Sequence, residues 1–240
     1  MHLYGDMIFS FITDLPTDGG PIYKETMIIR EFWIYEPWNA VSSLAIVIPA
    51  AYWALKLRDK PLTDFLFMWY CIPLLILGGT GSTLFHGLRS SSWLLWLDVF
   101  PTAILTLSIG VLFWIRYTKN WYFTIGLFIV SYAGRLVAYE LLPGHTATNL
   151  AYFITGTLIF LPILLYLQKI NWLGLKWIIY SILFLLISLT FREIDEYNLF
   201  NLSMGTHFLW HLFSGVGAYF LARFLYVVRL AELENKLQVA

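Results

Sequence analysis

The stretch ATNLAYFITGTLIFLPILLYL, residues 147–167, runs for 21 residues without a charged side chain. About 20 mostly apolar residues are what a helix needs to cross the hydrocarbon core of a bilayer. Working outward from it, about seven such stretches can be read along the chain. They lie near Asn39–Leu57, Phe65–His86, Ser92–Ile115, Trp121–Leu142, Ala147–Leu167, Trp172–Thr190 and Gly205–Val228. Between them stand short polar breaks such as Lys56 to Pro61, Arg116 to Asn120, Pro143 to His145 and Lys169 to Asn171, with a longer acidic break from Arg192 to Met204. Connections this short force neighbouring helices to run antiparallel. The expected fold class is an all-α integral membrane protein: a bundle of seven transmembrane helices in one domain, 1–240. An N-terminal extramembrane segment, 1–35, would precede it, and a tail, 229–240, would follow.

Composition excludes the alternatives. Hydrophobic residues make up 59% of the 240 residues and charged residues 12%, against roughly 45–50% and about 25% in a soluble domain. Mean hydropathy is +0.70. Intrinsic disorder would need the opposite bias. A formal net charge of zero leaves no broad basic face for nucleic acid, and nothing in the chain implies a protein partner. Cys71 is the only cysteine, so neither an intrachain disulfide nor a cysteine-based zinc site can form. The first 20 residues carry Asp6, Asp14 and Asp18 and no basic n-region, unlike a cleaved signal peptide.

Basic residues set the expected orientation. One set of loops holds Lys56, Arg58, Lys60, Arg116, Lys119 and Lys169, with Arg229 and Lys236 in the tail. The opposite set holds Lys24, Arg30, Arg89 and Arg192. The bias puts the N-terminus outside and the tail in the cytoplasm. Trp93, Trp114, Trp121 and Trp172 fall near helix ends, where interfacial aromatics gather.

Ionisable groups inside spans are costly and mark function by default. The second span ends in Gly81-Ser82-Thr83-Leu84-Phe85-His86, with Ser82 and His86 on one face at i and i+4. Asp98 comes early in the third span. The seventh opens Gly205-Thr206-His207-Phe208-Leu209-Trp210-His211. In an up-and-down bundle the second span ends where the third and seventh begin. Parity alone therefore brings His86, Asp98, His207 and His211 to one depth, in the non-cytoplasmic leaflet under this orientation. Two histidines one turn apart plus a third from a neighbouring helix form the ligand set of a catalytic zinc with an open position for water. Haem is a weaker alternative, because i,i+4 histidines converge on one point rather than flanking a slot. Structurally, each histidine could instead hydrogen-bond a backbone carbonyl or a hydroxyl. Glu36 and Asn39 precede the first span at the same end. Glu36 there could serve the positive end of the helix, with Pro37 at its first position. Arg135 (with Glu140 as a partner), Arg192 and Asp195 are further candidates for buried polar support.

Together, Glu36-Pro-Trp-Asn39-Ala-Val-Ser, Gly81-Ser82-Thr-Leu-Phe-His86, Leu97-Asp98-Val99 and Gly205-Thr-His207-Phe-Leu-Trp-His211 resemble the alkaline ceramidase family, in its bacterial form. That family belongs to a superfamily of seven-span hydrolases that includes the adiponectin and progestin receptors. The resemblance spans Tyr23 to about Phe220 in the family's order. It implies that His86, His207 and His211 hold zinc and that Ser82 and Asp98 are the family's serine and aspartate. It also implies an N-terminal calcium site, to which Glu25 and Glu36 would contribute beside Asn39. Ile22 stands where that site's aspartate would fall, and Lys24 replaces a common cysteine. The expected activity is zinc-dependent hydrolysis of the amide bond in a ceramide-like membrane lipid, giving a sphingoid base and a fatty acid. Asp98 would shuttle the proton and Ser82 would stabilise the oxyanion. The alternative is a receptor-like or transport protein with a structural zinc, since fold alone does not decide function.

Overall fold

The computed structural model of the chain describes residues 16–28, 33–197 and 199–234. Seven helices are long and apolar enough to cross a membrane. They are α1 (Pro37–Leu57), α2 (Leu66–Leu88), α3 (Ser92–Thr118), α4 (Trp121–Leu141), α5 (Gly144–Lys169), α6 (Leu175–Ile194) and α7 (His207–Leu233). No strand occurs among the described residues. Six of the expected spans match to within a few residues; α7 runs five residues beyond the expected Val228, so the tail begins later than 229. Arg30 and Lys236, used for orientation, lie outside the described residues, as do Asp6 and Asp14.

Local chemistry explains the helix ends. Pro37 opens α1, where its missing N–H costs nothing. Ser91 and Asn120 cap α3 and α4 by accepting the N–H groups of Trp93 and Phe123. Arg89 and Lys119 close α2 and α3 in the left-handed conformation, with φ of 45° and 56°.

The helices form one ordered bundle. α7 packs between α6 and α1, α1 continues to α2 and α2 to α3, and α3 carries α5, with α4 outermost against α3 and α5. Two glycines permit the closest approaches. A Cβ at Gly215 would strike the Ala45 carbonyl, and one at Gly81 would strike the Leu97 carbonyl. So α7 meets α1, and α2 meets α3, almost backbone to backbone.

The interior divides by depth. Toward the basic loops it is apolar, built from Trp53, Leu57, Phe113, Ile163, Leu167, Ile178 and Phe224. Glu232 closes that end by pairing with Arg116 at 2.9 Å and Arg229 at 3.0 Å. Toward the other end the buried residues are largely polar and include Glu25, Glu36, Asn39, Ser42, Ser43, Ser82, His86, Arg89, His207 and His211. Trp114 corrects one expectation: it is 7% exposed and donates its indole N–H to the Leu158 carbonyl at 3.0 Å. It is a contact between α3 and α5, not an interfacial anchor. Trp93, Trp121 and Trp172 are exposed as expected.

Candidate metal centre

The three histidines come together. His86 from the end of α2 and His207 and His211 from the start of α7 are buried, and each offers a nitrogen within 4.8 Å of the other two. Ring centroids are 4.8 to 5.3 Å apart.

Hydrogen bonds fix which nitrogen two of them can offer. His86 Nδ1 lies 2.5 Å from Glu36 Oε2. An ionised carboxylate only accepts, so Nδ1 carries the proton and Nε2 presents its lone pair. That Nε2 is buried without a hydrogen-bond partner among the described residues. The Nδ1 of His211 meets Ser42 Oγ at 2.9 Å and Ser43 Oγ at 3.2 Å. Ser42 spends its own proton on the Asn39 carbonyl at 3.0 Å, so it accepts from Nδ1–H and again leaves Nε2 free. A carboxylate or hydroxyl on the far nitrogen is the usual way a ligating imidazole is oriented. His207 Nδ1 is likewise buried without a partner. Its backbone N–H donates to Asp195 Oδ1 at 2.9 Å, and so does that of Thr206; Asp195 thereby anchors the first turn of α7. Three clustered imidazoles, two of them with their lone pairs oriented by hydrogen bonds, fit zinc, whose ligand set they match.

Asp98 and Ser82 are adjacent to this cluster. Asp98, half-buried, faces His86 and the Ser82 hydroxyl. Ser82 is buried and accepts from Ser43 Oγ at 3.0 Å. The tight α2–α3 approach at Gly81 sets the pair in register.

Residues 16–28 pack against the histidine end of the bundle. Glu25, rather than Glu36, serves the start of α1: its two oxygens accept the N–H groups of Trp38 at 2.7 Å and Asn39 at 2.9 Å. Glu36 stands at the N-cap position of α1, as the structural alternative has it, but its side chain makes no capping hydrogen bond there. Tyr35 N–H and Glu36 N–H donate to the Gly87 and His86 carbonyls, which pins Glu36 against the end of α2. Its carboxylate then meets His86, Arg89 and Thr26, with the Asn39 amide 3.2 Å away. Burial opposes charge on Glu36, but His86 and Arg89 outweigh it and hold the carboxyl below its usual range. The same balance holds for Asp18: burial opposes its charge, and Arg89 overcomes it. The Tyr23 ring lies tilted against His207, with ring centroids 3.9 Å apart. Burial, with Asp98 and Glu36 adding to it, keeps its phenol protonated.

This donor set does not fit calcium. Calcium takes six to eight oxygens. Here the carboxylates of Glu25 and Glu36 are engaged by N–H and O–H donors, and a guanidinium lies among them. Of the further polar candidates, Asp195 is buried and structural, whereas Arg192 turns to Asn149 and Tyr152 rather than to Asp195. Arg135 is half-exposed and Glu140 exposed, and no ion pair joins them among the described residues. A spacing of five sets two side chains about 140° apart around a helix. Ser42, Ser43, Tyr23, Asp18, Thr26 and Arg89 are site residues that sequence reasoning missed. The Ser42-Ser43 pair, within the motif that begins at Glu36, was the available signal.

No family model matches the chain, and no curated protein matches it.

Proposed function

We propose that this chain is an intramembrane amide hydrolase of the alkaline ceramidase kind, cleaving a ceramide-like lipid to a sphingoid base and a fatty acid. One observation carries the proposal: three imidazole nitrogens within 4.8 Å of one another, with Asp98 and Ser82 beside them. Zinc, when held there, activates water near neutral pH and polarises a carbonyl. The protein's own groups do the rest. Asp98 is poised to accept a proton from the attacking water and return it to the leaving amine. Ser82 accepts from Ser43 and donates to Asp98; once Asp98 has taken up the water's proton, the Ser82 hydroxyl can turn to the developing oxyanion. Glu36 holds His86, and Ser42 and Ser43 hold His211, in the ligating tautomer.

A lipid would enter sideways. At this end α5 meets α6 and α7 through side chains, Asn149 to Glu193 on α6 at 3.2 Å and Tyr152 against Trp210 on α7, rather than by close backbone packing. In the proposed orientation the N-terminus lies outside and the site opens to the non-cytoplasmic leaflet.

The test is metal analysis of the purified protein together with hydrolysis of a ceramide in mixed micelles, before and after removal of metal by a chelator. Stoichiometric zinc, activity lost on chelation and activity restored by zinc are expected. Stoichiometric zinc without hydrolysis of amide lipids would favour a receptor-like protein with a structural metal.

A further inference from the structure

Behind His86 the protein keeps a cation of its own. Arg89 sits one turn beyond His86, at the left-handed close of α2, and its side chain is fully buried. Its guanidinium forks onto Asp18, Nε to Oδ2 at 2.7 Å and Nη2 to Oδ1 at 3.0 Å. Nη1 reaches Glu36 Oε1, and the guanidinium carbon lies 4.6 Å from the Phe85 ring centre. The other oxygen of Glu36 is the one that holds His86 Nδ1. Asp18, Arg89, Glu36 and His86 thus form one continuous buried chain ending at a candidate metal ligand.

Electrostatics requires a cation in that chain. Two buried carboxylates this close would not both stay ionised without a positive charge between them. A divalent ion would serve, and the resemblance described above leads one to expect calcium. Here the required charge is covalently attached, and a planar fork suits two carboxylates at once.

We propose that Arg89 is a built-in replacement for a divalent cation, and that it acts as a positioning residue, holding Glu36 onto His86 so that the site takes up zinc without calcium. The inference rests on the zinc reading for its affinity arm alone.

The experiment uses full-length protein in detergent. Zinc affinity is measured by competition with a chromophoric chelator, and the thermal midpoint is followed with and without millimolar calcium. Wild-type affinity and midpoint should not respond to calcium. Arg89→Gln should lose about 10–100-fold in zinc affinity, the usual effect of removing a partner that orients a ligand. Because Arg89 acts through Glu36, the double variant Arg89→Gln/Glu36→Gln should bind zinc no more weakly than Glu36→Gln alone, a non-additivity that mere structural damage does not produce. If Arg89→Gln does not fold, Arg89→Met, which keeps the apolar stem, enters the same cycle. A wild-type midpoint or zinc affinity raised by calcium would overturn the proposal. So would an unchanged affinity in the single variant, or losses that multiply in the double one. A wild type that binds no zinc defeats the hydrolase reading instead, and the calcium response of its midpoint still decides the role of Arg89.

Discussion

Ser42 Oγ lies 2.9 Å from His211 Nδ1, and Ser43 Oγ lies 3.2 Å from the same nitrogen. Two consecutive hydroxyls on α1 therefore share one imidazole of α7. They can do so because the bare backbone at Gly215 lets the two helices touch.

That redundancy gives the first prediction. Ser42→Ala should leave zinc affinity nearly unchanged, because Ser43 remains in reach. Ser42→Ala/Ser43→Ala removes both acceptors, and affinity should fall about 10–100-fold. Competition titrations on the two single variants and the double variant decide it. A double variant that binds like wild type would separate these serines from the metal site.

Glu25 supplies a dependence on pH. Its carboxyl, ordinarily near 4.5, is raised to about 7, because burial penalises its charge by more than the N–H groups of Trp38 and Asn39 relieve it. A carboxyl with a folded pKa above its unfolded one holds more protons when folded, so stability falls as pH rises between the two values. The window runs from about 4.5 to 7, and the effect is about 3 kcal/mol at most. In the zinc-free protein, the thermal midpoint of Glu25→Gln relative to wild type should climb across that window. A difference that stays constant from acid to neutral pH would refute the assignment.

What the sequence could reveal follows from periodicity. The helices were legible because each apolar run exceeds bilayer thickness, and the histidine cluster because parity and i,i+4 spacing act on regular elements. The chain of Asp18, Glu36 and Arg89 was not legible. It joins a segment without periodicity to the end of α2, and only the folded path from Tyr35 to Ala40 sets Glu36 against His86 rather than over its own helix. Trp114 was misread for a related reason: nearness to a helix end gives depth, while rotation about the axis decides burial. Arg135 and Glu140 failed on angle alone.

Orientation is the third prediction. Lys56, Arg58, Lys60, Arg116, Lys119, Lys169 and Arg229 gather at the end opposite the histidines, so that end should face the cytoplasm. Single cysteines at Lys60 and Lys119, in a Cys71→Ala background, should resist a membrane-impermeant thiol reagent in intact cells and react once the membrane is opened. One at Leu199 should react in intact cells. The reverse pattern would move the histidine cluster to the cytoplasmic leaflet.

The last prediction separates chemistry from metal binding. Asp98 is not among the three clustered imidazoles, yet it faces both His86 and Ser82. If it carries the proton, Asp98→Asn should keep zinc and fold and lose about 10²–10⁴-fold in turnover. Were Asp98 only steadying His86, loss would cost about 10–100-fold and would come through weaker metal binding. Glu36 already occupies the outer nitrogen of His86, so His86 has little need of a second orienting carboxylate. Saturating zinc tells the two roles apart: a variant short of metal recovers, whereas one that lacks its proton carrier stays slow. Turnover of Asp98→Asn is therefore measured at rising zinc until occupancy is complete, beside Ser82→Ala, which should lose about 10²-fold if its hydroxyl meets the oxyanion. Near-normal hydrolysis by zinc-saturated Asp98→Asn would remove Asp98 as the proton carrier and shift the balance toward a structural metal.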